Sequence, residues 1–304
     1  MNGHMDSLRK QWQDALGAPG ALCENAPATL ICTYDRPKYT LELYRQPLEN
    51  GTAQRVMLAI PKNVCFPAPA VPTPFYFPEA MLGYDPATEE TLPNFAGIEM
   101  MVHLAERGYI AACADAYHLT CHHSEKGRDD FTRWRDAAAE LYRQHPRWSG
   151  MGKLVSDTVK MLDLVSADPR VDTERIGIAG HSLGGKMAFY TGCLDERIKA
   201  IVASDFGFGW EQSNWDDPWY WNGRVDTLRD MGLHHTNLLS LAAPKPFCLL
   251  AGEYDDAASG EMMGKAAGYE ECPQGLKLVH HGKGHRPPAD ALEKGYAFLD
   301  AYLK

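Results

Sequence analysis

Hydrophobic positions in the first sixty residues alternate with polar ones at the period of a β-strand, after one short stretch that does not. Residues 8–16, LRKQWQDAL, read as an amphipathic helix. Residues 29–33 and 39–44 then alternate or carry β-branched and aromatic side chains, and residues 54–60 form a further strand before the Pro61-Lys62 turn. The proline-rich stretch 66–72 reads as a loop, followed by a short hydrophobic strand over 74–77.

Beyond this point the period switches back and forth. Residues 95–107 have helical spacing and stop at Gly108, residues 109–114 form a buried strand with Asp115 just past its end, and a charged linker at 124–130 leads into a helix over 131–144. Helices over 151–165, 183–191 and 289–303 are interleaved with strands over 175–179, 199–204, 246–251 and 276–280. Strands separated by helices need crossover connections, so the prediction is an α/β fold: a mostly parallel central sheet flanked by helices. The chain reads as a single domain over 1–304 with an N-terminal extension of about 1–28. Residues 206–242 lack a strand signal and are aromatic-rich, which predicts an inserted cap or long surface segment.

Composition narrows the partners. With 30 basic against 40 acidic residues the formal charge is -10, and no Lys/Arg cluster interrupts it, which argues against a nucleic-acid partner. A small neutral or mildly polar substrate fits better; the oligomeric state is not legible. No stretch of 18 apolar residues predicts a membrane span. The 8 cysteines include no CxxC pair, and Cys113 and Cys248 fall inside strand candidates, so reduced thiols and a cytoplasmic setting are expected. The start Met1-Asn2-Gly3-His4-Met5 reads as an expression-vector scar, which leaves secretion open if it replaces a leader. His122-His123 beside Cys121 has no further ligand at a recognisable spacing and reads as a polar loop, so no metal site is expected.

The sharpest chemical signal is Gly180-His181-Ser182-Leu183-Gly184-Gly185. It matches G-x-S-x-G and lies between a strand and a helix, where a sharp turn exposes the serine Oγ at the sheet edge. The first N–H groups of the helix lack intrahelical acceptors, so the amide of Leu183 can donate to an oxyanion beside Ser182. Ser182 needs a base. His285, in the glycine-rich turn His281-Gly282-Lys283-Gly284-His285 after the last strand, suits that role better than His280 or His281; His118 is a further histidine near the same edge.

The acid is expected in Gly252-Glu253-Tyr254-Asp255-Asp256, where Asp255 is favoured, Asp256 suits a helix cap and Glu253 suits solvent. Asp205, at the end of the neighbouring strand, is the alternative. Phe206, Phe208, Trp210, Trp215, Trp219 and Trp221 could line a substrate wall that buries an acyl group or stacks on a sugar ring; the competing reading is that they pack an inserted loop onto the core.

The GHSLGG, GEYDD and HGKGH segments resemble the α/β-hydrolase superfamily over about residues 50–304. The segments HLAERGYIAACADAY and DPRVDTERIGIAGHSLGGKMAFYTGCLDERIKAIVAS look like the dienelactone-hydrolase and acetyl-xylan-esterase-like groups. The resemblance implies the α/β-hydrolase fold with an eight-stranded core, a Ser-acid-His triad matched by Ser182, Asp255 and His285, and no cofactor. One departure stands out. Where many relatives carry a His-Gly-rich segment that helps form the oxyanion hole, this chain has residues 77–83, FPEAMLG; Pro78 has no N–H, which leaves the amide of Glu79, or the hydroxyl of Tyr76, as second donor.

The reading is a serine esterase that works through an acyl-enzyme on a small or carbohydrate-linked ester. A peptidase or amidase would use the same groups, and intact Ser182 and His285 argue against a non-catalytic binding protein.

Overall fold

The computed structural model of the chain describes residues 2–17, 27–48, 51–121 and 131–304; His122, His123 and the predicted linker at 124–130 lie outside them. Its centre is one sheet built from β1 (Thr29–Asp35), β2 (Tyr39–Pro47), β3 (Ala53–Pro61), β4 (Ala68–Pro72), β5 (Ile110–Ala114), β6 (Val171–His181), β7 (Ile198–Ser204), β8 (Phe247–Ala251) and β9 (Leu276–His280). The order across the sheet is β1-β2-β3-β5-β4-β6-β7-β8-β9. The β1/β2, β2/β3 and β3/β5 pairs are antiparallel and the rest parallel. The sheet has one strand more than the eight that the resemblance implied, and β1, paired only with β2, is an edge strand whose Leu30 and Ile31 are exposed.

Helices cover both faces. They are α1 (Asn2–Leu16), α2 (Pro78–Leu82), α3 (Met100–Glu106), α4 (Tyr117–Thr120), α5 (Phe131–Gln144), α6 (Gly150–Ala167), α7 (Leu183–Leu194), α8 (Pro218–Trp221), α9 (Val225–Asp230), α10 (His235–Ser240), α11 (Ala257–Met263) and α12 (Ala289–Leu303). Alternation along β6 sorts two of them: Gly177 abuts Leu299 and Leu303 of α12, whereas Ile178, its neighbour on the opposite face, meets Gly192 of α7. Every residue of β4, β5 and β8 is buried, as central parallel strands require.

The proline-rich stretch corrects one expectation. Residues 68–72 are not a loop but β4, between β5 and β6. Pro69 and Pro72 have no N–H to give, but the strand is only five residues long, and Ala68, Ala70 and Val71 carry its register to both neighbours. Residues 74–77, expected as a strand, leave the sheet as a loop; the Ala116 N–H donates to the Tyr76 carbonyl at 3.0 Å.

The parallel strands end on one edge. β6 stops at His181, β7 at Ser204, β8 at Ala251 and β9 at His280. The residues that follow these four ends build the site.

Candidate active site

Ser182 sits at the turn from β6 into α7 with φ 55° and ψ -118°. A non-glycine residue keeps such a conformation only where the surroundings impose it. Here they do: a Cβ on Gly180 would lie 2.1 Å from the Gly184 carbonyl oxygen, and one on Gly184 would lie 2.1 Å from that of Pro74. The two glycines therefore let the chain double back against the 74–77 loop.

Ser182 Oγ donates to His285 Nε2 at 2.8 Å, and His285 Nδ1 donates to Asp205 Oδ2 at 2.7 Å. A carboxylate only accepts, so the proton lies on Nδ1, and Nε2 is free to accept from the serine. Asp205 is fully buried. Burial opposes its ionisation, but the hydrogen bond from His285 and the N–H groups of Gly252, Glu253 and Asp255 outweigh this and hold its carboxyl below the usual carboxylate range.

The carboxylate on His285 is thus Asp205, not Asp255. Asp255 is fully buried too, but it is engaged elsewhere: it accepts the N–H groups of Phe206, Gly207 and Phe208 and the hydroxyl of Ser259. Burial, partly countered by these donors, pushes its carboxyl up. Asp256 caps α11 through a capping box, and Glu253 is exposed.

The other histidines stay away from the serine. His280 is exposed at the end of β9, and His281 Nδ1 accepts the Lys283 N–H. His118 is buried behind Trp134, ring on ring at 4.0 Å. His181, inside the serine motif, is a group that the sequence reading passed over. Its ring lies 4.6 Å from that of His285, and its Nδ1 pairs with Ser204 Oγ at 3.1 Å. Burial, and then the neighbouring His285, push its pKa down to about 3, so it packs against His285 as a neutral ring.

Ser182, Leu183 and His285 open into a cavity of about 260 Å³ walled by the aromatic rings of Tyr76, Phe131, Trp134, Trp219, Tyr220 and Tyr254, with Asn214 as a polar side chain among them. A larger and more open cleft of about 460 Å³, lined by Arg9, Lys199 and Lys245, lies elsewhere and includes none of these groups. Of the aromatic candidates Tyr76 and Trp219 line the cavity, but Phe206, Phe208, Trp210, Trp215 and Trp221 do not. They are buried core residues that pin the 206–242 segment down: Trp210 Nε1 donates to the Leu233 carbonyl and Trp215 Nε1 to that of Gly207. Alongside these buried rings the segment keeps exposed positions such as Glu211, Asp216 and Met231.

Under the cavity, Lys186 lies one helical turn beyond Ser182. Its ammonium donates to the Phe206 carbonyl at 2.8 Å, Ser213 Oγ at 2.9 Å and Asn214 Oδ1 at 3.3 Å, and lies 4.4 Å from the Trp215 ring centroid. Burial pushes its pKa down to about 7. Asn214 is held from the other side, where its Nδ2 donates to Asp217 at 2.5 Å.

Leu183 opens α7 beside the serine and lines the cavity. Glu79 does not line it. It lies in the first turn of α2 with its carboxylate held by Arg55, which also pairs with Asp115. Among the described residues no group of His, Cys, Asp and Glu could hold a metal ion, the cysteines Cys113, Cys193 and Cys248 are buried free thiols, and no helix is long and apolar enough to cross a membrane.

Comparison with known proteins places this geometry among hydrolases. The model of the dienelactone hydrolase family matches residues 56–214, and that of the prolyl oligopeptidase family matches residues 139–304. YtaP of Bacillus subtilis (strain 168), provisionally named a hydrolase, is 29% identical over 168 residues, which are 50% of this chain and 54% of that one, so the match spans about half the length of the relative. Among solved structures, a glucuronoyl esterase from Solibacter usitatus superposes with a TM-score of 0.73 at 14% identity, over 98% of this chain and 91% of that one. An acetyl xylan esterase from Paenibacillus sp. R4 gives 0.63 at 18% identity, over 98% and 95%. At these identities the structural likeness is one of fold, the α/β-hydrolase fold.

Proposed function

The chain belongs to the dienelactone hydrolase and prolyl oligopeptidase families, and from that premise we propose that it hydrolyses carboxylic esters through an acyl-enzyme on Ser182. The observation that carries this reading is the unbroken hydrogen-bond chain from Ser182 through His285 to Asp205 at the mouth of an aromatic cavity. His285 Nε2 takes the serine proton as Oγ attacks the ester carbonyl, and the buried Asp205 carboxylate stabilises the resulting imidazolium and keeps the ring oriented. The Leu183 N–H at the start of α7 meets the oxyanion, a contribution of about 3 kcal/mol for one such donor. The second donor comes from the 74–77 loop, whose Tyr76 lines the same cavity as Leu183. His285 then returns its proton to the leaving alkoxide, and water, deprotonated by the same imidazole, releases the acid.

The cavity supports a sugar-linked ester. Stacked rings suit the C–H face of a pyranose, and Asn214 supplies a polar contact for a hydroxyl. The fold neighbours, an acetyl xylan esterase and a glucuronoyl esterase by name, point the same way. The prolyl oligopeptidase match over residues 139–304 favours a second reading, amide hydrolysis by the same groups.

The test is a panel of p-nitrophenyl acyl esters, acetylated xylo-oligosaccharides, alkyl glucuronates and peptide amides, run with wild type and Ser182→Ala. Turnover of esters, lowered roughly 10⁴-fold or more in Ser182→Ala, is expected. Turnover of amides alone selects the second reading, and turnover that survives Ser182→Ala overturns both.

A further inference from the structure

Two buried carboxylates hold each other's loops. Asp205 turns the chain after β7 with φ 44°, a left-handed conformation uncommon for residues other than glycine. Asp255 holds the residues that follow: its Oδ2 accepts the N–H groups of Phe206 at 2.8 Å and Gly207 at 3.0 Å, while its Oδ1 accepts the Phe208 N–H at 2.6 Å and the Ser259 hydroxyl at 3.0 Å. In return, Asp205 Oδ1 accepts the N–H groups of Gly252, Glu253, Tyr254 and Asp255 itself, at 2.9 to 3.0 Å. Only Asp205 Oδ2 is left to face His285.

We infer that Asp255 is a positioning residue: it fixes the backbone that carries Asp205 and, through Asp205, the orientation of His285, without a hydrogen bond to His285 or Ser182. The arrangement is reciprocal. The loop after β7 is pinned by a side chain of the loop after β8, and the loop after β8 by a side chain of the loop after β7, so neither carboxylate can rotate without releasing main-chain donors of the other loop. A small misplacement of Asp205 is enough to matter, because proton transfer from Ser182 depends on the ring orientation that this one oxygen sets.

Asp255→Asn is the discriminating variant. It keeps the volume but replaces one acceptor oxygen with an NH₂ group, which then faces either the Phe206 and Gly207 donors or those of Phe208 and Ser259. The expected result is kcat lowered about 10- to 100-fold with KM nearly unchanged. The far-downfield proton resonance of the His285–Asp205 hydrogen bond should be lost or moved, as in Asp205→Asn, while near-ultraviolet circular dichroism still reports a folded core. An unchanged kcat with the resonance intact, or a change confined to KM, overturns the inference.

Should Asp255→Asn fail to fold, hydrogen exchange in the wild type decides. Amides 206–208 and 252–255 should be protected and exchange together as one unit, and exchange of either set at the rate of an open loop overturns the inference. The inference rests on Ser182, His285 and Asp205 being the reacting groups. The resonance and the exchange need no substrate, so their outcome is separable from that of the ester panel.

Discussion

At the scale of single residues, the proposed function gives Ser182, His285 and Asp205 the reacting roles and Asn214 a binding role. Asn214 lines the cavity, and its oxygen is committed to Lys186 and Ser213 and its amide nitrogen to Asp217, which fixes the amide plane. Asn214→Ala is therefore expected to lower kcat/KM for sugar-linked esters roughly 10-fold, the worth of one hydrogen bond, while leaving p-nitrophenyl acetate untouched. Equal loss on both substrates, in parallel kinetic runs, would show that Asn214 supports the wall and reads nothing. Ser182 and His285 were legible because their signals are local: a serine between glycines at a strand-to-helix turn, and a histidine on a turn after the last strand. The acid was not. Asp205 and Asp255 each follow a buried strand, and the choice between them is made by the left-handed backbone of Asp205 and by amides about fifty residues away, which no local pattern displays.

At the scale of elements, the segment at 206–242 shows what aromatic content alone conceals. Most of its rings are buried in the core, and only Trp219 and Tyr220 line the cavity. His235, at the start of α10, is the pin. Its Nδ1 meets the Phe208 carbonyl at 2.7 Å, its Nε2 meets the Tyr190 hydroxyl at 2.7 Å, and its ring lies between Trp210 and Trp215. Tyr190 also touches Trp12 of α1, which ties the N-terminal helix to the same layer. Burial holds both His235 and His181 neutral down to about pH 3, whereas histidines of an unfolded chain take up protons near 6.5. The unfolded state therefore binds more protons across this window, and stability must fall as pH drops from 6.5 toward 3, by on the order of 1 kcal/mol per pH unit for each histidine. Urea unfolding at pH 6.5, 5.5 and 4.5 should show that fall, and it should be shallower in His235→Gln. An identical slope in the variant would show that His235 contributes nothing to the acid sensitivity. The strand β4 carries a related lesson, since three prolines within residues 66–72 read as a loop. Burial between two neighbours overrode that local signal because so short a strand needs few donors.

At the scale of the molecule, the sheet was readable as a type because alternating helices and strands admit few connections, and its active edge follows from strand direction. β6, β7, β8 and β9 run parallel and stop together, so residues more than a hundred positions apart, such as Ser182 and His285, meet within hydrogen-bond distance. In the proposed mechanism Asp205, through His285, makes Ser182 a nucleophile. The direct measurement is the rate at which a fluorophosphonate labels the protein, with the modified residue located by peptide mass mapping, in wild type and Asp205→Asn. A single adduct on Ser182, formed roughly 10³- to 10⁴-fold more slowly in the variant, is the predicted result. An adduct on another residue, or equal rates in the two proteins, would contradict it.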